Sequence, residues 1–489
     1  MPFLLLFWIL FFNHQTGNSQ YLLRESKVFE NKNRFKTYSL LSKKNENFAI
    51  LRFSDDMKRN EIILLNEDLT LKSKNMGCDQ IRNYAGALNI NDNLFFIYSQ
   101  FKENKTLEQY EEVSLWLNRI DTHLMSCNSD SFALIAPFTL KAPLYKGNLS
   151  ISEDHSKIVV FDYEEEGDVE GVEGLTEEIR LRVYDKHFHL LWSRKVDLTT
   201  HTAGKRMIAV QKVRVNNSGE VAILTDQFRT IRSYQLKELS CDPTLFFIGS
   251  EKNQILKFTP QLGEFFFNQS DIQFDKNNNL LWLGCFSEEK YHQQKGYYFI
   301  KIAADKSKVL ERKIVPFAKE DLEILCSKKT KEADHLKLIH FKINEQGEII
   351  LSFERQPYST HFLKSHSIYI LSILPNGNLK WAYPHYKYNS FKYSLQPFLS
   401  HYLINSSNYT HILFNQGLYK EGGKACLLTI EKEGKARLTS LFEYQNKETI
   451  LCPLQSFQLS ENKVLLSFQS EFFNKFQFGI LDLTLPDDK

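Results

Sequence analysis

A repeat governs what this chain can fold into. A polar turn running into a strongly apolar strip occurs as "KNENFAILRF" (44–53), "NINDNLFFIYSQ" (89–100), "ISEDHSKIVVFDY" (151–163) and "VNNSGEVAILTDQF" (215–228). It returns as "FDKNNNLLWLGCF" (274–286), "INEQGEIILSF" (343–353), "INSSNYTHILFN" (404–415) and "LSENKVLLSFQ" (459–469). Successive turns lie roughly 46 to 69 residues apart. Each strip is short, rich in β-branched and aromatic residues, and bounded by Asn, Asp, Ser or Gly, which tolerate left-handed turn conformations.

A second hairpin recurs inside the unit, in "IILLNEDLTLKS" (62–73), "LRVYDKHFHLLWS" (181–193), "YILSILPNGNLKW" (369–381) and "CLLTIEKEGKARLTS" (426–440). The unit is therefore three or four antiparallel strands. The fourth copy, "LFFIGSEKNQILKFTPQLGEFFF" (245–267), admits two registers. A lone small sheet leaves its faces wet, whereas stacked copies bury them and leave few exposed edges. The expected fold is all-β: a single β-propeller of seven or eight blades over residues 20–489, eight being favoured by the eight first turns. Two separate β-sandwiches are the structural alternative. The last unit runs out at "FGILDLTLPDDK" (478–489), so the stretch after residue 20, "YLLRESKVFENKNRFKTYSLL" (21–41), is expected to supply its missing strand.

Residues 3–12 form an apolar run too short to span a bilayer but suited to the core of a signal peptide. Gly17 and Ser19 stand at the −3 and −1 positions of a cut before Gln20, giving a signal peptide over 1–19. The mature chain has no later apolar stretch of membrane-spanning length, so the expected location is exported: periplasm, outer-membrane periphery or extracellular. The seven cysteines are scattered without a CxxC pair and read as buried small side chains, with one or two bridges open.

Within "SILPNGNLKW" (372–381), Gly377 precedes Trp381 by four residues after an apolar strip. This spacing resembles the tryptophan-docking motif of the quinoprotein-like eight-bladed propellers. Leu371, Ile373 and Asn376 stand where that motif has Ala, Asp and Thr. In "RVYDKHFHLLW" only Trp192 aligns, with Phe188 in place of the glycine. The resemblance implies packing roles for Gly377, Trp381 and Trp192. The vicinal cysteines of the family's alcohol dehydrogenases are absent, so quinone-dependent oxidation is not implied. The whole mature chain also resembles exported bacterial propellers of uncharacterised type.

Formal charge is +2 with both signs interleaved, which gives no polycationic face for nucleic acid. The motifs of a nucleophile elbow, a zinc protease helix and a Gly-rich phosphate loop do not occur. Three features remain as candidate sites or ligands. "WAYPHYKYNSFKYSL" (381–395) interleaves Tyr383, His385, Tyr386, Lys387, Tyr388, Lys392 and Tyr393, a composition suited to a protein hot spot or a glycan, on a connection between blades. "DYEEEGDVEGVEGLTEE" (162–178) offers Glu164, Glu165, Glu166, Asp168 and Glu170 as oxygen ligands for calcium, or as a solvated loop; no other cofactor is expected. His187 and His189 alternate, which on a strand puts both on one side. The tyrosines, 22 in all, and 39 phenylalanines suit half-buried sheet surfaces as well as binding. The expected function is a non-catalytic binding or scaffold propeller of the cell envelope that engages a protein partner, a transport or secretion complex of the outer membrane being one version. The alternative is a secreted enzyme with an axial site for polysaccharide or peptide.

Overall fold

The computed structural model describes residues 21–31, 36–44, 47–53, 60–76, 84–90, 93–104, 109–121, 126–127, 133–138, 145–164, 176–199, 206–229, 241–251, 255–260, 265–287, 294–325, 336–356, 362–392, 398–418, 422–444, 448–470 and 472–484. The signal-peptide segment 1–19, acidic residues 165–170 and Tyr393 lie outside them. Among the described residues the strands form eight antiparallel sheets, numbered 1 to 8 in chain order. Sheets 1 to 7 occupy residues 36–76, 84–138, 145–197, 206–258, 266–316, 336–392 and 401–443, and sheet 8 takes strands from 450–482 and 22–30. Six of the eight are four-stranded, with their strands in sequence order. One short helix, Lys319–Leu325, lies between sheets 5 and 6. The fold is all-β and propeller-like.

Every first turn read from the sequence falls between the first two strands of a hairpin in its sheet. The ambiguous copy resolves too: Cys241–Ile248 turns into Ile255–Phe258, and the next sheet opens at Phe266. Second strands such as Leu280–Ser287 and Ile349–Arg355 are buried at every position, because both faces of the sheet are covered. The outermost strand Val309–Pro316 instead alternates between half-buried and exposed, since it has a neighbour on one edge only.

The hairpins share one geometry. The first turn residue accepts a backbone hydrogen bond from the fourth, as in Asn216 with Gly219, Asp185 with Phe188 and Leu374 with Gly377. The fourth residue has positive φ: Gly219 at 89°, Gly347 at 79° and Gly377 at 82°, but also Phe188 at 63° and Leu69 at 66°. Phe188 thus occupies the glycine position of the same turn, at the strain such side chains carry there. It is the turn that recurs, rather than its glycine.

The chain falls into two compact units, one drawn from residues 1–32, 358–366 and 387–489, the other from 33–357 and 367–386. In the larger unit, apolar cores lie between sheets 3 and 4 (Val183, Val196, Val213, Phe246), 4 and 5 (Leu224, Phe247, Trp282, Ile300), and 5 and 6 (Leu283, Phe299, Leu351, Tyr369). Each fully buried aliphatic or aromatic side chain is worth about 1.5–3 kcal/mol. Polar contacts hold the stack in register. Asn278 accepts from the Asn217 backbone at 3.0 Å, and Asn217 in turn accepts from that of Asp154 at 3.3 Å, linking the first turns of sheets 5, 4 and 3.

In the smaller unit the N-terminal segment completes sheet 8. Leu22–Glu25 pairs antiparallel with the last strand, Leu23 opposite Leu481, and Phe29 stacks on Phe476 at 5.1 Å between ring centres. The Ser26 backbone N–H donates to Phe478 O at 2.8 Å, and the Gln477 amide donates to Ser26 O at 2.8 Å. The expected closing strand is present, and it is short; Lys36–Lys44, from the same stretch, instead opens sheet 1.

Candidate functional site

Of the three residues taken as packing elements, Trp192 and Gly377 sit in contacts between sheets. Trp192 on the last strand of sheet 3 donates its Nε1–H to Gly219 O, in the first turn of sheet 4, at 3.0 Å. Gly377, in the second hairpin of sheet 6, meets sheet 5: a Cβ placed there would collide with the Phe299 ring, and Tyr297 OH donates to Gly377 O at 3.4 Å. Trp381 is half-buried on the strand that follows.

The Tyr-rich segment is not a connecting loop. It continues the strand Leu379–Lys392, whose alternation sends its side chains to opposite faces. Lys387 is 0% exposed, and its ammonium donates to Leu399 O at 2.9 Å and sits over the Phe414 ring. Asn389 beside it bonds the backbone of Asn415 and Leu418. Tyr388 meets His366 edge to face, with ring centres 4.8 Å apart. Tyr383 and His385 are half-buried, and burial raises the Tyr383 phenol above its usual range. Of the five candidate residues from Tyr383 to Tyr388, Tyr386 alone is exposed, at 56%. Lys392 ends the strand, and its side chain lies outside the described residues. Sequence reading saw the aromatics but not the buried polar row beneath them, which only pairing with a neighbouring backbone explains.

His187 and His189 also change place. They belong to the turn after Asp185, whose carboxylate accepts both backbone N–H groups and lies 3.0 Å from the His189 ring nitrogen. That is a side-chain-capped turn, with the His189 side chain 77% exposed. Of the acidic candidates, Glu164 ends the strand Lys157–Glu164, and Glu165, Glu166, Asp168 and Glu170 lie outside the described residues. Cys285 and Cys426 are free and buried, Cys452 is buried with its thiol donating to Ile450 O, and burial pushes the Cys426 thiol up to about 11.

Sequence reasoning missed a cleft of about 440 Å³ in the larger unit. Its walls come from the ends of the first strands of four successive sheets: Leu149, Ser150 and Ile151; Arg214 and Val215; Gln273 and Phe274; and Ile343, with Glu153 from the first turn of sheet 3. The guanidinium of Arg214 donates to Ile272 O at 3.2 Å and lies 3.7 Å from Asp271, which also faces Lys212 at 3.4 Å. Burial, with the nearby charges of Asp275 and Asp154, makes Glu153 hold its proton more tightly than an ordinary carboxyl. Lys342, next to Ile343, is lowered by burial to about 8. Gln273 Oε1 is buried and has no hydrogen-bond partner among the described residues. Trp282 Nε1 shares that condition but is enclosed in an apolar core, whereas Gln273 lines the cleft. The signal for this site was faint, since Arg214 and Gln273 each stand one place before the end of a first strand, just ahead of its polar turn.

No family model and no curated protein matches the chain. Among solved structures it is similar to prolyl oligopeptidase B from Galerina marginata at 9% identity and a TM-score of 0.43, over 90% of this chain and 56% of that one. The chain thus spans just over half the length of that enzyme. It is similar to a protein from Lactobacillus plantarum at 11% identity and a TM-score of 0.39, over 86% of this chain and 96% of that one. It is also similar to a polysaccharide lyase of family PL25, an ulvan lyase, at 8% identity and a TM-score of 0.38, over 94% and 96% of the two chains. No residue of this chain takes a role from any of them.

Proposed function

We propose that this chain is an exported eight-bladed propeller of the cell envelope that binds a protein partner and catalyses nothing, the eight sheets being its blades. The docking of Trp192 on the next sheet supports kinship with tryptophan-docking propellers. One observation carries the binding reading. Large apolar side chains stand exposed near the start of the outermost strands of neighbouring sheets: Leu190 at 54% and Leu191 on sheet 3, Leu256 at 50% on sheet 4, Leu310 on sheet 5 and Leu379 on sheet 6. Scattered single leucines mean little, but recurrence at one place in successive units makes a surface that a partner would cover.

The test is cross-linking in intact cells followed by purification under denaturing conditions and identification of what is attached. The expected result is a discrete adduct that disappears with the paired changes Leu190→Asp and Leu191→Asp. A chain recovered uncoupled, or an adduct indifferent to these changes, overturns the reading. A specific observation favours the enzyme alternative: Glu153 lines the cleft, and burial raises its carboxyl above the usual range. Hydrolysis or elimination of a polysaccharide or peptide that is lost in Glu153→Gln would replace the binding reading with that one.

A further inference from the structure

We propose that the cleft between sheets 3, 4, 5 and 6 is a sugar site, taking a polyhydroxylated ring through Ser150, Glu153, Arg214 and Gln273. This site is separate from the partner surface, since it lies on first strands while the exposed leucines lie on outermost ones.

The ligand class follows from what the lining groups lack. Gln273 Oε1 is an acceptor without a donor among the described residues and is closed to solvent; that unmade hydrogen bond is costly, and turning the amide toward the cleft to meet a ligand donor recovers it. Glu153 adds a second acceptor when ionised, whereas Arg214 supplies only donors. A carboxylate or a fully ionised phosphate satisfies Arg214 but has no hydrogen to donate to Gln273, and it is repelled by Glu153 when that group is ionised. A simple cation has the opposite failing. Hydroxyl groups donate and accept at once, and adjacent hydroxyls on a ring match planar, two-pronged side chains such as Arg, Gln and Glu. Ser150, buried at the wall, offers a further group of either sense. The remaining wall is apolar, with Val215 and Ile343 among its members, and suits the C–H face of a ring. A cleft of about 440 Å³ falls within the size range of small-molecule sites.

The site also has a mechanical basis for selectivity. Its groups come from four sheets, three of which are held in register by the Asp154, Asn217 and Asn278 contacts between turns. Rigid placement lowers the ordering cost that weakens sugar binding on loops.

The test titrates the intact chain with glucose, N-acetylglucosamine, glucuronate and short oligosaccharides, with saturation-transfer NMR as the readout. Inorganic phosphate and glycine serve as ionic and zwitterionic comparisons. The expected result is saturable binding of at least one sugar, not displaced by phosphate or glycine. Gln273→Leu should weaken it about ten-fold, the loss of one hydrogen bond to a buried group, with the thermal midpoint unchanged. Ser150→Ala provides a second, smaller deletion should Gln273→Leu fold poorly, and it should weaken the same sugar. Binding of phosphate or glycine in place of sugars overturns the proposal, as does silence from every sugar or wild-type affinity in both variants. None of these variants touches the leucine surface, so a lost sugar signal beside an intact cross-linked adduct refutes the sugar site and leaves the partner reading standing.

Discussion

Sheets 7 and 8 and the cleft between sheets 3 and 6 use polar side chains in opposite ways. In the first region, Asn415 donates to Phe398 O and Leu451 O at 2.8 Å each and accepts from Tyr444 OH, while Asn389 donates to Asn415 O at 2.7 Å. Near the N-terminal strand, Tyr21 OH lies 3.0 Å from Thr429 Oγ1 and accepts from Arg437, and His411 bonds the same threonine. These groups serve one another or the backbone. At the cleft, Gln273 belongs to the wall, and its Oε1, closed to solvent, has no hydrogen-bond partner among the described residues. Both regions descend from the same strand repeat, so residue type alone does not separate a brace from a binding group. The partner of each polar atom does.

The largest effect should come from the closing segment. Removing residues 21–31 takes away the edge strand of sheet 8, the Phe29–Phe476 stack and the Ser26 contacts together. For a fold with a stability of about 5–15 kcal/mol this should abolish cooperative unfolding, as followed by calorimetry. An unchanged transition would show that the two ends do not close one sheet.

Next come the buried braces. Asn415→Ala should cost about 3 kcal/mol in denaturant unfolding, because it strands the Tyr444 hydroxyl and two carbonyls. His411 adds a pH signature. Burial, and then the Arg437 charge, lowers its folded pKa to about 4 from 6.5. The unfolded chain therefore binds more protons between those values, and stability falls as pH drops from about 6.5 to 4, by on the order of 3 kcal/mol. His411→Gln should flatten that part of the stability–pH curve.

Gly377→Ala should cost about 2 kcal/mol or more, from positive φ and the approach to Phe299. Phe188→Gly at the equivalent place should cost much less, because backbone strain is relieved as the side chain is lost. The smallest effect is the most telling. Gln273→Leu should leave stability within about 0.5 kcal/mol, since it removes an acceptor that no described protein group serves. A loss as large as that of Asn415→Ala would mean that Gln273 is a brace as well.

Much of the scaffold was legible. The alternating strips marked the strands, and the polar corners marked the turns, because both follow from local backbone preference and the two-residue period of a strand. The closing strand was readable from a shortage at one end and a surplus at the other. The site was not. Lys387 looked like a surface cation among tyrosines, yet its ammonium is satisfied by Leu399 O. His187 and His189 looked like neighbours on a strand, yet Phe188 adopts positive φ and makes the segment a turn.

The sequence by itself determined the all-β repeat, the order of strands within most sheets and the place where the ends meet, since these rest on contacts between residues near in sequence or on the count of strands; the fourth copy's register waited for the structure. Only the tertiary structure decided which polar side chains are served and which are left open. Arg214, Gln273 and Ser150 come from three different sheets, far apart along the chain, and no local pattern encodes the space that stacking leaves between them.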